Sequence, residues 1–455
     1  MSEMISTNPA NGECIEVRRA LGPEEVDAAI ASVAERFPEW AAVPVRERAA
    51  ALRRLGSAVR GRSEALARLA TAEMGKRIAE ARAEVEKCAL ACEYYAAHGP
   101  DFLVDTMVAS DAGRSLIAWQ PLGPVLLVMP WNFPFWQVMR QAVPATLAGN
   151  TVLLKHASNV QGCAAALEEV FAAAEFPEGV FRNLAIGSDA VQPVIEDSRV
   201  RGVSLTGSEG AGRAVAGVAG RNLKKTVLEL GGSDAFIVLA DADLGQVVEQ
   251  AVKARFQNNG ETCIAAKRFI VEEAIAEDFV SGLKARIGAM RVGDPMDEDT
   301  DLGPLAREDL LEDLHDQVRR SLEAGAVCVT GGHRLERPGV YYAPTLLDHV
   351  RPGMAAFDEE TFGPVAAVTR AADAEAAVAL ANASRYGLGG SVWTADPVRG
   401  EVIARRLECG CAFVNGIVRS DPRLPFGGVK DSGYGRELSA LGIREFVNAK
   451  TVWVD

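Results

Sequence analysis

Between residues 125 and 230 compact apolar runs alternate with stretches of helical spacing, and this rhythm restricts the fold more than any other feature. Residues 125–129, 151–154, 181–186, 200–205 and 226–230 read as strands, and residues 134–148, 159–175, 190–197 and 209–219 as the helices between them. Strands and helices in this order form βαβ units, so the expected fold is α/β with a parallel, doubly wound sheet. Such a sheet binds ligands beyond the carboxyl ends of its strands. That directs attention to the turns after Met129, Leu154 and Leu205.

The flanking stretches differ. Residues 1–20 read as a short extended lead, and 24–37, 46–71 and 78–97 carry apolar residues at helical spacing, with a break at Gly75-Lys76. Residues 101–120 turn strand-like. A second α/β block runs from 234 to about 436, with helices at 243–256, 275–290 and 305–324 and strands at 235–239, 268–272, 365–369 and 391–393. Residues 447–454 read as a terminal strand.

Composition excludes several functions. The net charge of −14, with both signs interleaved, argues against nucleic-acid and anionic-membrane partners, which attract basic patches. The longest apolar run, near 124–130, is too short to span a bilayer, and the first residues lack the basic and apolar regions of a signal peptide. Eight cysteines without CxxC spacing and five scattered histidines offer no metal site and suggest reduced thiols in a cytoplasm.

Chemistry concentrates in a few turns. Phe256 to Lys267 (FQNNGETCIAAK) places Cys263 where a helix hands over to a strand through an Asn-Asn-Gly turn, so it is either a nucleophile or a packed thiol. LTGSEGAG (205–212) is strand, turn and helix start. Gly207 and Gly212 permit close approach, and the helix N-terminus suits phosphate, although the spacing is not GxGxxG. Lys155 follows a strand, either to meet a ribose or phosphate or as a solvated charge. Ser158, three residues on, does not repel a 2′-phosphate as a carboxylate there would. In WNFP (131–134) Asn132 either offers its amide to an oxyanion or caps the helix starting at Pro134. Glu229, in LELGG (228–232), is a carboxylate in an apolar strand end. It is a general base or a salt-bridged structural residue. EETFGP (359–364) and PFGGVKDSGYGRE (425–437) read as ordered loops.

In this order, over essentially the whole chain, these motifs resemble the aldehyde dehydrogenase superfamily. KHASN (155–159), LELGGSD (228–234), CIAAKRF (263–269) and SDPRLPFGG (420–428) are most similar to its succinate-semialdehyde dehydrogenase branch. The resemblance implies a Rossmann-type dinucleotide-binding domain (1–100 and 122–231), a catalytic domain (232–436) and a small β oligomerisation element (101–121 and 437–455). It implies Cys263 as nucleophile, forming a thiohemiacetal and then, after hydride transfer, a thioester. Asn132 and the Cys263 N–H would hold the oxyanion, Glu229 would activate the hydrolytic water, and Glu437 would join a proton relay. For the cofactor it implies Glu360 and Phe362 at the nicotinamide, Trp131 and Gly207 beside the dinucleotide, Ser208 at the pyrophosphate, and Lys155 and Ser158 at the adenosine ribose. Ser158 resembles the NADP-using branch, so NADP preferred over NAD is expected.

A substrate that ends in a carboxylate needs a cation or donors at the far end of its tunnel. Arg140 is expected to share a helix face with Asn132 and is the first candidate, with Arg419 and Ser420 beside it; a structural salt bridge is the other reading of Arg140. Two features depart from relatives: Ser233 where Lys is frequent, and no second cysteine beside Cys263. The open alternatives are a broad-range or glutarate-semialdehyde dehydrogenase, a CoA-acylating enzyme, and a catalytically silent member of the fold. Exposed strand edges at 101–121 and 446–454 lead to the expectation of a homodimer or homotetramer.

Overall fold

The computed structural model describes residues 3–455. Two large sheets organise them. The first has six strands in the order Gly433–Tyr434, Lys225–Glu229, Gly202–Thr206, Val125–Met129, Val152–His156 and Phe181–Asn183. All neighbours are parallel except Gly433–Tyr434, which arrives from the C-terminal loop and pairs antiparallel with Leu228 and Glu229. The chain winds outward from Val125–Met129 in one direction, then returns to lay Gly202–Thr206 on its other side. The order therefore reverses between these two strands, and a crevice opens beyond Met129 and Thr206. The strand expected at 151–154 runs on to His156, so Lys155 lies within it rather than after it.

The second sheet runs Val327–Thr330, Thr345–Asp348, Val365–Ala371, Ala266–Glu272, Asp234–Val238, Gly389–Trp393 and Cys411–Val414. It is parallel apart from its first strand. The strands at 327–330, 345–348 and 411–414 went unread in the sequence, because they are short and carry no clean alternation.

Helices Val45–Gly61, Ser63–Met74 and Ile78–Phe102 share one apolar cluster with the first sheet. The single helix expected over 46–71 is two, because the chain leaves helical geometry at Arg62, after Gly61. Trp136–Ala148 is buried along its whole length. A helix so enclosed must find partners for its N-terminal N–H groups inside the protein. Asn132 does not cap it, and the helix starts at Trp136, not Pro134. The Glu84 carboxylate, from Ile78–Phe102, accepts the N–H groups of Phe135 and Trp136, each at 2.8 Å. Lys76 pairs with the other Glu84 oxygen and lies 4.1 Å from the centre of the Phe133 ring. Glu73 does the same for Gln161–Ala173, accepting from Gly162 (3.0 Å), Cys163 (2.9 Å) and the Ser6 hydroxyl (2.7 Å). Two carboxylates of the helical layer thus hold the helices that follow Val125–Met129 and Val152–His156, each at its positive end.

The terminal strand Val447–Val454 pairs antiparallel with Arg114–Pro121 of the same chain, and Thr106–Met107 closes the other side. The two edges expected to be open are therefore paired with each other. The outer edge of Val447–Val454 remains unpaired among the described residues, with Trp453 52% exposed. No helix among the described residues is long and apolar enough to cross a membrane.

Replacing Glu84 with Ala orphans the buried Lys76 ammonium and two helix N–H groups. The expected loss is about 3–5 kcal/mol of stability, read as a lower urea midpoint than that of the unsubstituted protein.

Candidate active site

The Cys263 turn is built from its own sequence. Helix Leu244–Phe256 is capped by Asp243 and ends at Gln257. Asn258, Asn259 and Gly260 follow with φ of 52°, 58° and 77°. Three left-handed residues in a row are tolerable only because asparagine and glycine enter that region at low cost. Gly260 also lies against Gly363, where a Cβ would meet the carbonyl oxygen at 2.4 Å. The turn then hands Cys263 to strand Ala266–Glu272.

Side chains tie this turn to its neighbours. Asn258 Nδ2 donates to the carbonyls of Asn132 and Glu261, each at 3.0 Å, and Asn132 Nδ2 donates to Glu261 at 3.1 Å. The loop after Met129 and the cysteine loop are thereby one unit, with the second Asn132 N–H left uncommitted. Lys267, fully buried, donates to the carbonyls of Thr262 (2.9 Å) and Cys263 (2.7 Å) and to Glu360 Oε1 (2.9 Å). Gly232 lets the turn approach; a Cβ there would meet the Cys263 carbonyl at 2.6 Å.

Arg140, Glu229 and Glu437 form a charge cluster in the interior, each at most 2% exposed. Arg140 Nε pairs with Glu437, its Nη2 donates to Thr206 Oγ1 at 3.3 Å, and its guanidinium stands 5.0 Å from the centre of the Phe426 ring. Gln141 donates to the other Glu437 oxygen at 2.7 Å. Neither oxygen of Glu229 makes a well-formed hydrogen bond among the described residues, and the backbone N–H of Gly428 nearby only weakly favours its charge. Burial therefore pushes Glu229 well above the usual carboxylate range, Glu437 adds to the shift, and Arg140 opposes it. Burial also pushes the Cys263 thiol up to about 12, opposed by Arg140 and Lys267 and reinforced by Glu229 and Glu360. Cys263 and Glu229 therefore share one electrostatic environment, in which a charge on Glu229 disfavours the thiolate.

A cavity of about 200 Å³ opens at Cys263. Arg140, Arg419 and Ser420, named from the sequence, all line it, together with Phe133, Trp136, Phe426 and Lys87. Arg140 and Asn132 do not share a helix face, since Asn132 precedes the helix, and the Arg140 charge is answered by Glu437. Arg419 is exposed. The Ser420 hydroxyl oxygen accepts from Lys87 Nζ (2.7 Å) and from Trp136 Nε1 (3.1 Å), so its own hydrogen is free to donate.

Of the residues expected at the cofactor, Trp131, Gly207 and Ser208 follow strands of the first sheet, and Glu360 and Phe362 precede strand Val365–Ala371 of the second. Trp131 and Phe362 meet edge to face at 5.8 Å. Glu360 is anchored by the Gly232 N–H at 3.0 Å as well as by Lys267. Ser208 caps helix Glu209–Arg221, accepting from Ala211 N at 3.4 Å. Gly212 serves internal packing, since a Cβ there would strike Leu230 at 2.6 Å. At Gly207 a Cβ would make only ordinary contact, with Leu205 at 3.7 Å, so internal packing does not require a glycine there. Lys155 is 9% exposed, and burial lowers its pKa. Ser158 is exposed, two residues beyond the end of the Val152–His156 strand. A buried ammonium, an exposed hydroxyl and a helix N-terminus fit an anionic dinucleotide.

Lys267, Lys87, Gln141 and Glu84 were missed in the sequence. Lys267 had a signal, since it and Arg268 open the otherwise apolar run of Ala266–Glu272. Lys87 had none, because charged residues crowd the Ile78–Phe102 helix and most of them face water.

Residues 2–452 match the aldehyde dehydrogenase family. The chain is 50% identical over 451 residues to a probable succinate-semialdehyde dehydrogenase [NADP(+)] of Synechocystis sp., covering 99% of each chain. It is also 50% identical to a succinate semialdehyde dehydrogenase [NAD(P)+] of Escherichia coli, over 99% of this chain and 98% of that one. The fold superposes with a TM-score of 0.97 on the crystal structure of succinic semialdehyde dehydrogenase from Streptococcus pyogenes in complex with NADP+, at 37% identity and 99% coverage of both chains. A near-complete match in sequence and fold, around a cysteine turn locked to an amide loop and a buried carboxylate, establishes that the chain belongs to the aldehyde dehydrogenase family.

Proposed function

We propose that the protein oxidises succinic semialdehyde to succinate, using NADP in preference to NAD. The observation that carries this reading is the single cavity lined by Cys263 and by a cation and hydroxyl suited to a carboxylate. The names of the relatives support the same substrate and cofactor.

In this reading the Cys263 thiolate adds to the aldehyde carbon, and the oxyanion accepts from the free Asn132 N–H and the Cys263 N–H. Burial pushes the thiol up to about 12, so its proton must be taken up by another group as the sulfur attacks. When bound, the nicotinamide supplies the acceptor for the hydride leaving the Cys263 adduct. Glu229, with its raised pKa, then takes a proton from water attacking the thioester. Glu437, between Arg140 and Gln141, carries that proton onward. Trp131, Gly207, Ser208, Glu360 and Phe362 hold the dinucleotide, and Lys155 and Ser158 hold its adenosine ribose end. Residues 1–100 and 122–231 form the cofactor domain, 232–436 the catalytic domain, and 101–121 with 437–455 the oligomerisation element. The unpaired edge of Val447–Val454 supports a homodimer or homotetramer, which light scattering tests. A cytoplasmic location accords with eight free cysteines.

Steady-state kinetics over a small aldehyde panel test the reaction. Succinic semialdehyde should give the highest kcat/KM without added CoA, and a preference for butanal would refute the reading. Cys263→Ser should lose at least about a thousandfold in kcat, because the hydroxyl is a far weaker nucleophile at this pH. Glu229→Gln should release one burst of reduced cofactor per site and then stall.

Ser158→Glu should raise the KM for NADP by about tenfold or more and spare NAD, since it sets a carboxylate against the 2′-phosphate.

Arg140 lowers the pKa of both Cys263 and Glu229. Arg140→Met should therefore move the rising limb of the pH–rate profile to higher pH and lower kcat at neutral pH for charged and uncharged aldehydes alike.

A further inference from the structure

We infer that Lys87, on helix Ile78–Phe102, is the residue that selects a carboxylate-bearing aldehyde: its ammonium receives the distal carboxylate of the substrate beside the Ser420 hydroxyl. The inference deepens the proposed function and rests on it.

The cavity at Cys263 holds two candidate cations besides the exposed Arg419. They differ in how their charge is answered. Arg140 is bound by Glu437 on one side and Thr206 on the other, so an incoming anion competes with a carboxylate already in place. Lys87 has no carboxylate partner within 4 Å among the described residues. Its contacts are neutral: Ser420 Oγ at 2.7 Å and the Trp136 ring, whose centre lies 4.3 Å away. A cation largely withdrawn from water and left without a counter-ion is unfavourable until an anion arrives. Binding a carboxylate there removes a cost already present in the empty site, and this makes the selectivity large. Ser420 completes the arrangement, because Lys87 and Trp136 occupy its oxygen and leave its hydrogen for the same carboxylate.

The charged and titratable groups around Lys87 are few. Arg140, from the facing helix, disfavours its protonated form. Glu84 and Cys88 on its own helix and Asp421 on the C-terminal loop favour it, and Arg419, Cys263 and Glu80, the last paired with Arg77, line the same cavity. Burial first, then Arg140, pushes the ammonium down to about 8. The cation is therefore present below that pH and lost as pH rises through it. Preference for an anionic substrate should fall over the same range, and kcat/KM reports this for the free enzyme. Titration of Cys263 and Glu229 affects every aldehyde and cancels in a ratio of two substrates.

The test compares succinic and glutaric semialdehydes with butanal, using intact protein with NADP. Lys87→Met keeps the length and packing of the side chain and removes its charge. The ratio of kcat/KM for succinic semialdehyde to that for butanal should fall by at least about tenfold, chiefly in KM, because the carboxylate loses a desolvated cation. Lys87→Arg should recover most of the ratio. In the unsubstituted protein the ratio should decline above pH 8, whereas in Lys87→Met it should stay level with pH. An equal fall for both aldehydes, or an unaltered ratio, overturns the assignment and leaves the proposed reaction standing. An unsubstituted protein that favours neither semialdehyde over butanal overturns both.

Discussion

The site depends on one guanidinium kept out of water. Arg140 is the positive charge among Glu229, Glu437 and Cys263, and each of those groups would be harder to ionise without it. A buried carboxylate with no well-formed hydrogen bond, such as Glu229, is unfavourable as an anion and useful as a base only if something nearby favours its charge. Arg140 provides that favour while remaining neutralised by Glu437.

That arrangement needs a rigid frame, which the helical layer supplies. Helix Trp136–Ala148, which carries Arg140 and Gln141, is buried on all sides and held at its N-terminus by Glu84. The loop before it carries Asn132, which is bonded to the cysteine turn through Glu261. Lys267 fastens the same turn and anchors Glu360 beside it. Cys263, Glu229, Asn132 and Glu360 therefore come from separate segments, and hydrogen bonds tie the loops of Asn132 and Glu360 to the cysteine turn. Such preorganisation is what a reaction with an oxyanion and a hydride transfer requires.

Much of this was legible beforehand, and the reason differs from residue to residue. The strand–helix alternation over 125–230 reports burial on both faces of a parallel sheet, a property of the local run itself. Asn258-Asn259-Gly260 announced a turn, and the structure shows it to be left-handed, a region such residues enter cheaply. Cys263, Asn132 and Glu229 stood out because each is chemically conspicuous in its own neighbourhood. Lys87 did not, since a lysine on a helix crowded with charges looks the same whether it faces water or a cavity. Arg140 was noticed, but its partner, Glu437, lies far along the chain and only the fold brings it near.

Local composition was enough for the fold class, the order of the motifs, the turn that presents Cys263 and the family resemblance, because each rests on spacing within a few tens of residues. Pairing across the chain was not. The capping of two helices by Glu73 and Glu84, the neutralisation of Arg140, and the isolation of Lys87 beside Ser420 all join residues brought together by packing. Charge in a dry interior is governed by what lies within a few ångströms, and no stretch of sequence records that distance.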